Sequence, residues 1–409
     1  MMTRSLITVA MLCSASLAMG AGYQLNLQGL RQLAMGGGGT AMPWDAATIF
    51  YNPGGLSHMD GLQVNASVLA IMPRVQYIEA QAGGSSARAE SQTFTPFNLY
   101  VGGTIRKGSR LGLGLGVYTP FGSGLKWDDN WQGRYITQNI SLQSVFVQPT
   151  VSYRVSDIVS IGAGFVYALG DVRLSRALPY ADADGRDGKA ELEGTAHGTG
   201  FNVGINLKAT ERLYFGVSYR SKVYMDVRDG DATFTVPTAL QSRFPTTQFK
   251  ASLPLPEVLS VGMAYKPTDK LTLQADFNLT GWNAYKELAF DFESEAIPDS
   301  RAPRNYQNRL ASRLGAHYQA TSGFAVMLGG AYDPSPVVDN YVSPDLPDAN
   351  RIVLTGGISI KPARRFTILA ALEYVTSEKR DATYAEAGFS GRYQTKAITP
   401  GIGLAYDFR

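Results

Sequence analysis

Most of the chain alternates strictly between apolar and polar residues. In residues 271–280 (LTLQADFNLT) every odd-numbered position is apolar and every even-numbered position is polar. The same period of two recurs in residues 111–117 (LGLGLGV), where glycine takes alternate positions, and in residues 366–374 (FTILAALEY). A period of two places the two sets of side chains on opposite faces of a strand. The pattern predicts an all-β protein but leaves a soluble sandwich and a membrane barrel both open.

The lengths of the connections distinguish these two architectures. Short polar linkers lie at residues 106–110, 154–157, 208–211, 266–270, 319–323 and 361–365. Long connections alternate with them, at residues 79–91, 119–139, 171–192, 227–250, 285–308, 333–350 and 376–396. Tight periplasmic turns alternating with long external loops are typical of outer-membrane barrels. We therefore predict a transmembrane antiparallel β-barrel of about fourteen strands over residues 59–409, with both termini periplasmic, apolar faces towards lipid and polar faces towards the lumen.

Residues 21–58 do not alternate and precede the first strand. They combine an amphipathic stretch, a run of four glycines and the sequence IFYNPGGL at residues 49–56. Proline fixes φ and removes a donor, and Asn-Pro-Gly-Gly favours a turn. Trp44 and the apolar residues before the turn are costly to leave in water. We predict that this segment is a hatch folded into the barrel lumen.

The first twenty residues have the features of a secretory signal. Arg4 gives a basic start, about a dozen apolar residues follow, and Ala18-Met19-Gly20 is a small-x-small cleavage site. The only cysteine, Cys13, lies inside this segment, so the mature chain would have neither disulfides nor thiolate chemistry. The protein is thus expected to leave the cytoplasm, and no later apolar run reaches the length of a membrane-spanning helix.

Composition and motifs argue against nucleic-acid binding and catalysis. The net charge of +3 is too mild for a nucleic-acid partner, and no basic cluster with interleaved aromatics occurs. Three histidines are present, yet no pattern unites a nucleophile with a base. We expect no enzymatic activity, no cofactor and no metal.

Five stretches together resemble a known family. They are AGYQLN at 21–26, Asn52-Pro53-Gly54, YTPFGSGLKWDDNWQGRY at 118–135, LPEVLSVGMAYKPTDKLTLQADFNLTGWNAY at 255–285 and GGAYDPSPVVDNYVSPDLPDANR at 329–351. In order and spacing the chain resembles the long-chain fatty-acid transporters of Gram-negative outer membranes, a family that includes toluene and xylene uptake proteins. Glycine stands at position 54 where the family has alanine, which we interpret as a loosening of the hatch turn.

The resemblance implies passive uptake of a hydrophobic small molecule, either a long-chain fatty acid or an aromatic hydrocarbon. The ligand would be caught in an external groove and released sideways through a wall gap at a kink in the third strand. The implied ligand and transport residues are Tyr23, Leu25, Phe50, Asn52, Pro53, Gly54, Pro120, Gly122, Trp127, Trp131, Arg173, Arg176 and Phe244. Among them, the two tryptophans and Phe244, with Val236 and Leu240, would line the groove, and Pro120 and Gly122 would mark the kink.

Two classes of function stay open from the sequence. The first is this hydrophobic-solute channel, acting as a monomer among outer-membrane lipid and lipopolysaccharide. The alternative is a water-filled general porin with a structural role, which needs an open lumen. The sequence specifies neither the ligand nor whether it carries a carboxylate. Arg304 and Arg309 match the family's basic positions only approximately.

Overall fold

The fold is seen in a computed structural model, which describes residues 22–80, 84–106 and 108–408. The predicted signal segment and its cleavage site lie outside these residues. The first strand segments are β1 (Leu62–Leu69), β2 (Met72–Glu79), β3 (Ser86–Arg88), β4 (Phe97–Thr104), β5 (Leu111–Tyr118), β6 (Gly122–Lys126), β7 (Asn139–Arg154), β8 (Val159–Leu178), β9 (Gly188–Lys208), β10 (Leu213–Arg220) and β11 (Val223–Thr235). The remaining segments are β12 (Thr247–Leu255), β13 (Val258–Tyr265), β14 (Leu271–Thr280), β15 (Glu287–Phe292), β16 (Ser300–Pro303), β17 (Arg309–Thr321), β18 (Phe324–Asp333), β19 (Arg351–Ala363), β20 (Phe366–Ser377), β21 (Arg380–Tyr384) and β22 (Phe389–Asp407).

These segments form a closed antiparallel barrel of fourteen strands, as the alternation predicts. Seven barrel strands are each made of two consecutive segments: β1/β2, β3/β4, β5/β6, β10/β11, β12/β13, β14/β15 and β20/β21. Segment β16 forms a hairpin with β15. The ring closes because β1 pairs with β4 on one side and with β22 on the other, so that Asn65 lies opposite both Tyr100 and Ala405.

The six predicted short turns all join neighbouring strands, but several predicted long loops are shorter than expected. The sequence predicts a loop at residues 171–192, whereas β8 continues to Leu178 and β9 begins at Gly188. In the same way, β20, β21 and β22 occupy most of residues 376–396. Hydrogen bonds between strands satisfy backbone groups in water as well as in lipid, so the strands continue beyond the membrane. In these extensions the outward side chains are polar as well, so the sequence does not alternate between apolar and polar residues and does not predict the strands.

The two faces of each strand are distributed as predicted. On β14, Leu273, Phe277 and Leu279 are exposed on the outer surface, whereas Gln274 and Asp276 are buried on the inside. The barrel is therefore apolar outside and polar inside. Among the described residues, no helix is long and apolar enough to cross a membrane.

Residues 22–58, called here the N-terminal segment, pack inside the barrel. They contain α1 (Leu30–Leu33), α2 (Thr48–Tyr51) and a 3₁₀ turn at Pro53–His58. Amide side chains of the wall donate hydrogen bonds to backbone carbonyls of this segment: Asn98 to Leu27, Gln148 to Ile49, Asn202 to Phe50, Asn206 to Ala41 and Gln274 to Gly38, over 2.6–2.9 Å. The polar lumen face thus supplies the partners that a buried, irregular backbone needs.

Candidate functional site

Asn52 joins two parts of the N-terminal segment to the barrel wall. Its side chain is fully buried. Nδ2 donates to the carbonyls of Thr40 (2.8 Å) and Ile205 on β9 (2.9 Å), and Oδ1 accepts from the Gly54 N–H (3.0 Å). Pro53 follows as the first residue of the 3₁₀ turn, where a missing N–H costs nothing. The Asn-Pro-Gly sequence is therefore a fixed attachment point between the segment and the wall.

Gly54 is tightly packed, so the interpretation that it loosens the turn is wrong. Its carbonyl accepts hydrogen bonds from the hydroxyls of Ser152 (3.0 Å) and Ser160 (2.6 Å). A Cβ at this position would lie 2.8 Å from the Gly204 carbonyl oxygen, closer than real Cβ atoms approach backbone. Glycine is used here because β9 passes too close for any side chain.

Phe50 lies at the junction of the N-terminal segment, the third strand and β10. Its ring packs edge-on against Tyr118, with centroids 5.1 Å apart. The Arg220 guanidinium carbon lies 3.7 Å from the Phe50 ring centroid, and Nη1 donates to the Phe50 carbonyl over 3.4 Å. A cation over an aromatic face is stabilised by the ring quadrupole, most strongly where water is excluded.

The third barrel strand is interrupted between β5 and β6. Tyr118 lies opposite Phe146 and Gly122 opposite Gln143, so three residues of the third strand face only two of β7. One extra residue in one strand is a β-bulge, which bends the chain and unpairs it locally. Pairing with β4 stops at Tyr118, opposite Asn98. Backbone hydrogen bonding with the second strand resumes at the Glu90 N–H, which donates to the Lys126 carbonyl.

The N-terminal segment pairs with the interrupted stretch in place of the second strand. The Leu25 N–H donates to the Pro120 carbonyl (2.9 Å), and the Gly122 N–H donates to the Tyr23 carbonyl (3.0 Å). The four sequence-predicted residues Tyr23, Leu25, Pro120 and Gly122 are thus brought together at one place in the wall. The released carbonyls of Thr119 and Pro120 accept hydrogen bonds from the N-terminal segment, and that of Phe121 accepts one from the Ser144 hydroxyl on β7.

A largely apolar cavity lies beside this interruption, on the outer side of the N-terminal segment. It holds about 890 Å³ of empty space, including its open part. Its apolar lining comes mainly from β7, β8, β11, β12 and β15 and includes Ile140, Leu142, Val172, Leu174, Val227, Leu253 and Phe290. Tyr23 lies on the wall of the cavity, and Arg304 and Asp345 form a charged patch on it. Such a cavity suits a ligand with a long apolar body and few polar atoms.

Tyr23 connects the cavity with an aromatic cluster. Its ring packs edge-on against Trp282 and Tyr285, with centroid separations of 4.8 and 5.7 Å, and its hydroxyl donates to the Pro254 carbonyl over 2.7 Å. Burial raises the pKa of Tyr23 well above its ordinary value, and the neighbouring Tyr285 and Tyr306 act in the same direction. The hydroxyl therefore stays a hydrogen-bond donor at physiological pH.

The tryptophans expected in the external groove are buried instead. Trp127 and Trp131 are 0% and 4% exposed and stack with centroids 4.3 Å apart. Their indole N–H groups donate to the carbonyls of Pro344 and Thr137. Trp131 also packs edge-on against Tyr77 on β2 and Phe389 on β22, so the two tryptophans join their loop to the barrel wall and to the loop that contains Pro344.

The other predicted groove residues do form a cluster, at the extracellular end of β8, β9 and β11. Phe244 and Leu240 pack there with Leu178, Ala190 and Val236. The Phe244 ring lies 5.2 Å from that of Tyr180 and 5.8 Å from that of Phe234. In this set, called the loop cluster, Leu178, Ala190 and Val236 are buried, whereas Phe234, Leu240 and Phe244 are half-buried.

The predicted basic residues do not reach the cavity. Arg173 is exposed on the outer surface of β8 and lies 3.7 Å from Glu193, and Arg176 is also exposed. The cavity arginine is Arg304, whose Nη2 donates to Asp345 Oδ2 over 2.9 Å. Sequence reasoning locates Arg304 only approximately and misses its partner Asp345, because Arg304 follows an irregular hairpin and Asp345 lies in a loop that lacks alternation. Arg309 instead binds the Ser335 carbonyl.

Comparison with known proteins places these features in context. The sequence profile of the family described as "Outer membrane protein transport protein (OMPP1/FadL/TodX)" matches residues 11–408. A long-chain fatty acid transport protein of Escherichia coli O6:H1 is 24% identical over 445 residues, covering 99% of this chain and 98% of that protein.

Two solved structures share the fold. The crystal structure of a Pseudomonas aeruginosa FadL homologue superposes with a TM-score of 0.84 at 18% identity, covering 95% of this chain and all of the other. The Pseudomonas putida toluene transporter TodX superposes with a TM-score of 0.75 at 16% identity, covering 96% of this chain and 99% of that one.

Proposed function

Since the chain belongs to the outer membrane transport protein family of the FadL and TodX proteins, we propose that it takes up long-chain fatty acids or other hydrophobic molecules by a lateral route. The ligand is captured at the loop cluster and passes into the apolar cavity. It then leaves sideways, at the interruption of the third strand, into the outer membrane. The chain acts as a monomer, and the N-terminal segment is its hatch.

The unpaired stretch of the third strand beside the cavity is the observation that carries this proposal. The bulge at 119–121 removes the ladder between the second and third strands at the level of the cavity. The freed backbone bonds to Tyr23, Leu25 and Gln28 of the N-terminal segment. The Ser144 hydroxyl of β7 also donates to the Phe121 carbonyl. A short shift of the N-terminal segment would connect the cavity with the lipid, without opening an aqueous path through the lumen.

The alternative of a general porin is disfavoured by the same geometry. A porin needs a continuous water-filled lumen. Here Leu33, Ala47, Ile49 and Leu56 of the N-terminal segment are fully buried between the walls. Lipopolysaccharide hinders the direct entry of an apolar solute into the outer membrane, so the solute needs a protein channel. The apolar cavity provides the dry surface that such a solute requires.

Uptake by intact cells tests the proposal. Cells without channels of this kind would express the wild-type chain, and entry of labelled oleate and of labelled toluene would be followed. We expect faster uptake of at least one of these compounds than in cells without the chain. Leu253→Trp fills the cavity and should reduce uptake severalfold. Leu259→Trp, on the outward face of the same barrel strand, is the matched control. Uptake of neither compound above background would overturn the proposal.

A further inference from the structure

The cavity contains one polar feature that the apolar ligand body does not explain. Arg304 and Asp345 are buried, with side chains 6% and 12% exposed. A single hydrogen bond joins them, from Nη2 to Oδ2. The other terminal atoms, Nη1 of Arg304 and Oδ1 of Asp345, are buried without a hydrogen-bond partner. Two residues that line the cavity thus contain one unmet donor and one unmet acceptor, and neighbouring side chains cover both atoms while the cavity is empty.

The charge state of the pair restricts which ligand groups can form hydrogen bonds with these two atoms. Burial alone would lower the pKa of the Arg304 guanidinium, but Asp345 and the nearby oxygens of Tyr285 and Tyr306 raise it above its ordinary value. Arg304 is therefore cationic, and with the Asp345 carboxylate beside it the patch has no net charge. An orphaned buried polar atom costs roughly 1–3 kcal/mol, and more if it is charged, so a bound group that satisfies both atoms gains selectivity.

We propose that the cavity selects hydrophobic ligands that end in an uncharged hydroxyl group, such as long-chain alcohols or alkylphenols. The hydroxyl oxygen accepts a hydrogen bond from Arg304 Nη1, and its proton is donated to Asp345 Oδ1. This inference rests on the proposed function, because it specifies the head group of the molecule that the cavity carries.

Other head groups satisfy the pair less well. A carboxylate could accept from Arg304, but it would bring a second anion beside Asp345, and like charges in a dry site repel strongly. A pure hydrocarbon would leave both atoms without partners. A hydroxyl is the smallest neutral group that donates and accepts at once.

Competition binding with one chain length tests the head-group preference. Dodecanol, dodecanoate and dodecane would displace a fluorescent hydrophobic probe from the purified full-length protein in amphipol at pH 8, where dodecanoate is ionised. For the wild type we expect dodecanol to bind at least about tenfold more tightly than dodecanoate, since one unmet buried group is worth that factor.

Replacement of the anion should reverse the order. Asp345→Asn keeps the shape of the side chain and removes its negative charge, so dodecanoate should gain about tenfold in affinity and match or exceed dodecanol. Asp381→Asn is the control, because Asp381 pairs with Arg392 on the exposed rim. If the single variant is unstable, Arg304→Gln with Asp345→Asn leaves no buried charge unpaired and should abolish the preference for dodecanol.

The outcomes separate this inference from the proposed function. If none of the three compounds displaces the probe, the proposed function fails and the inference fails with it. If dodecanoate binds the wild type more tightly than dodecanol, or if Asp345→Asn leaves the order unchanged, the inference is overturned while the proposed function stands. A preference for dodecanoate that disappears in Arg220→Gln would place the head group on the Phe50–Arg220 stack instead.

Discussion

At the scale of single residues, the N-terminal segment is held by a few side chains with several partners each. The Asn52 side chain donates hydrogen bonds to Thr40 and Ile205 and accepts one from Gly54. The sequence predicts a rigid turn here, because Asn-Pro-Gly-Gly restricts the backbone. It could not show that Gly54 faces β9, because that contact spans 150 residues of chain and depends on barrel closure.

Substitution of Gly54 is therefore expected to destabilise the protein. In Gly54→Ala the new Cβ must push against the Gly204 carbonyl, and overpacking of this kind costs about 1–3 kcal/mol. The apparent midpoint of thermal unfolding, followed by gel mobility of the barrel, should fall. Gly323→Ala is the control, because the nearest atom to its Cβ lies 3.5 Å away. Equal midpoints for the two variants would show that β9 moves to accommodate the new Cβ without loss of stability, and would contradict this prediction.

At the scale of elements, the third strand combines regular pairing with one extra residue. The sequence indicates a break, since Pro120 cannot donate to a ladder and Gly122 weakens it. The register of the break was not predictable, because it is defined by the partner strand: three residues at 119–121 face two residues of β7. Periodicity also does not predict that the stretch around Tyr23 and Leu25 binds the freed backbone.

Removal of the extra residue should close the wall. Deletion of Pro120 leaves equal numbers of residues between the flanking pairs, so the ladder from β5 to β6 can become continuous and can pair with the second strand. We expect a folded barrel that takes up hydrophobic compounds at no more than a tenth of the wild-type rate. Deletion of Gly185, at an exposed external turn, is the control. Uptake at the wild-type rate after removal of Pro120 would rule out the lateral route.

At the scale of the whole molecule, the fold was largely predictable and the site only partly. The number of strands follows from periodicity and turn spacing, because the side chain of each wall residue faces either the lipid or the lumen. The site depends on contacts between distant loops, such as Arg304 with Asp345 and Trp127 with Trp131. Such contacts leave no periodic signal, so the sequence predicts neither the burial of the tryptophans nor the pairing of Arg304 with Asp345.

For the whole barrel, the proposed route depends on a lumen that is closed to water. In the described part of the chain, amides of the polar wall bind the backbone of residues 22–58 inside the barrel, whereas a barrel of this strand number without these contents would be a pore. Deletion of residues 22–58 should therefore produce stable conductance. Asn52→Asp, which places a carboxylate against two carbonyls, should give transient openings if the deletion does not assemble.

Single-channel recording of the intact protein in planar bilayers shows whether the lumen is closed to water. We expect no large, stable conductance steps from the full-length chain, in preparations that take up hydrophobic compounds. Large, stable steps from the intact protein would rule out the closed lumen and would identify the barrel as a water-filled porin.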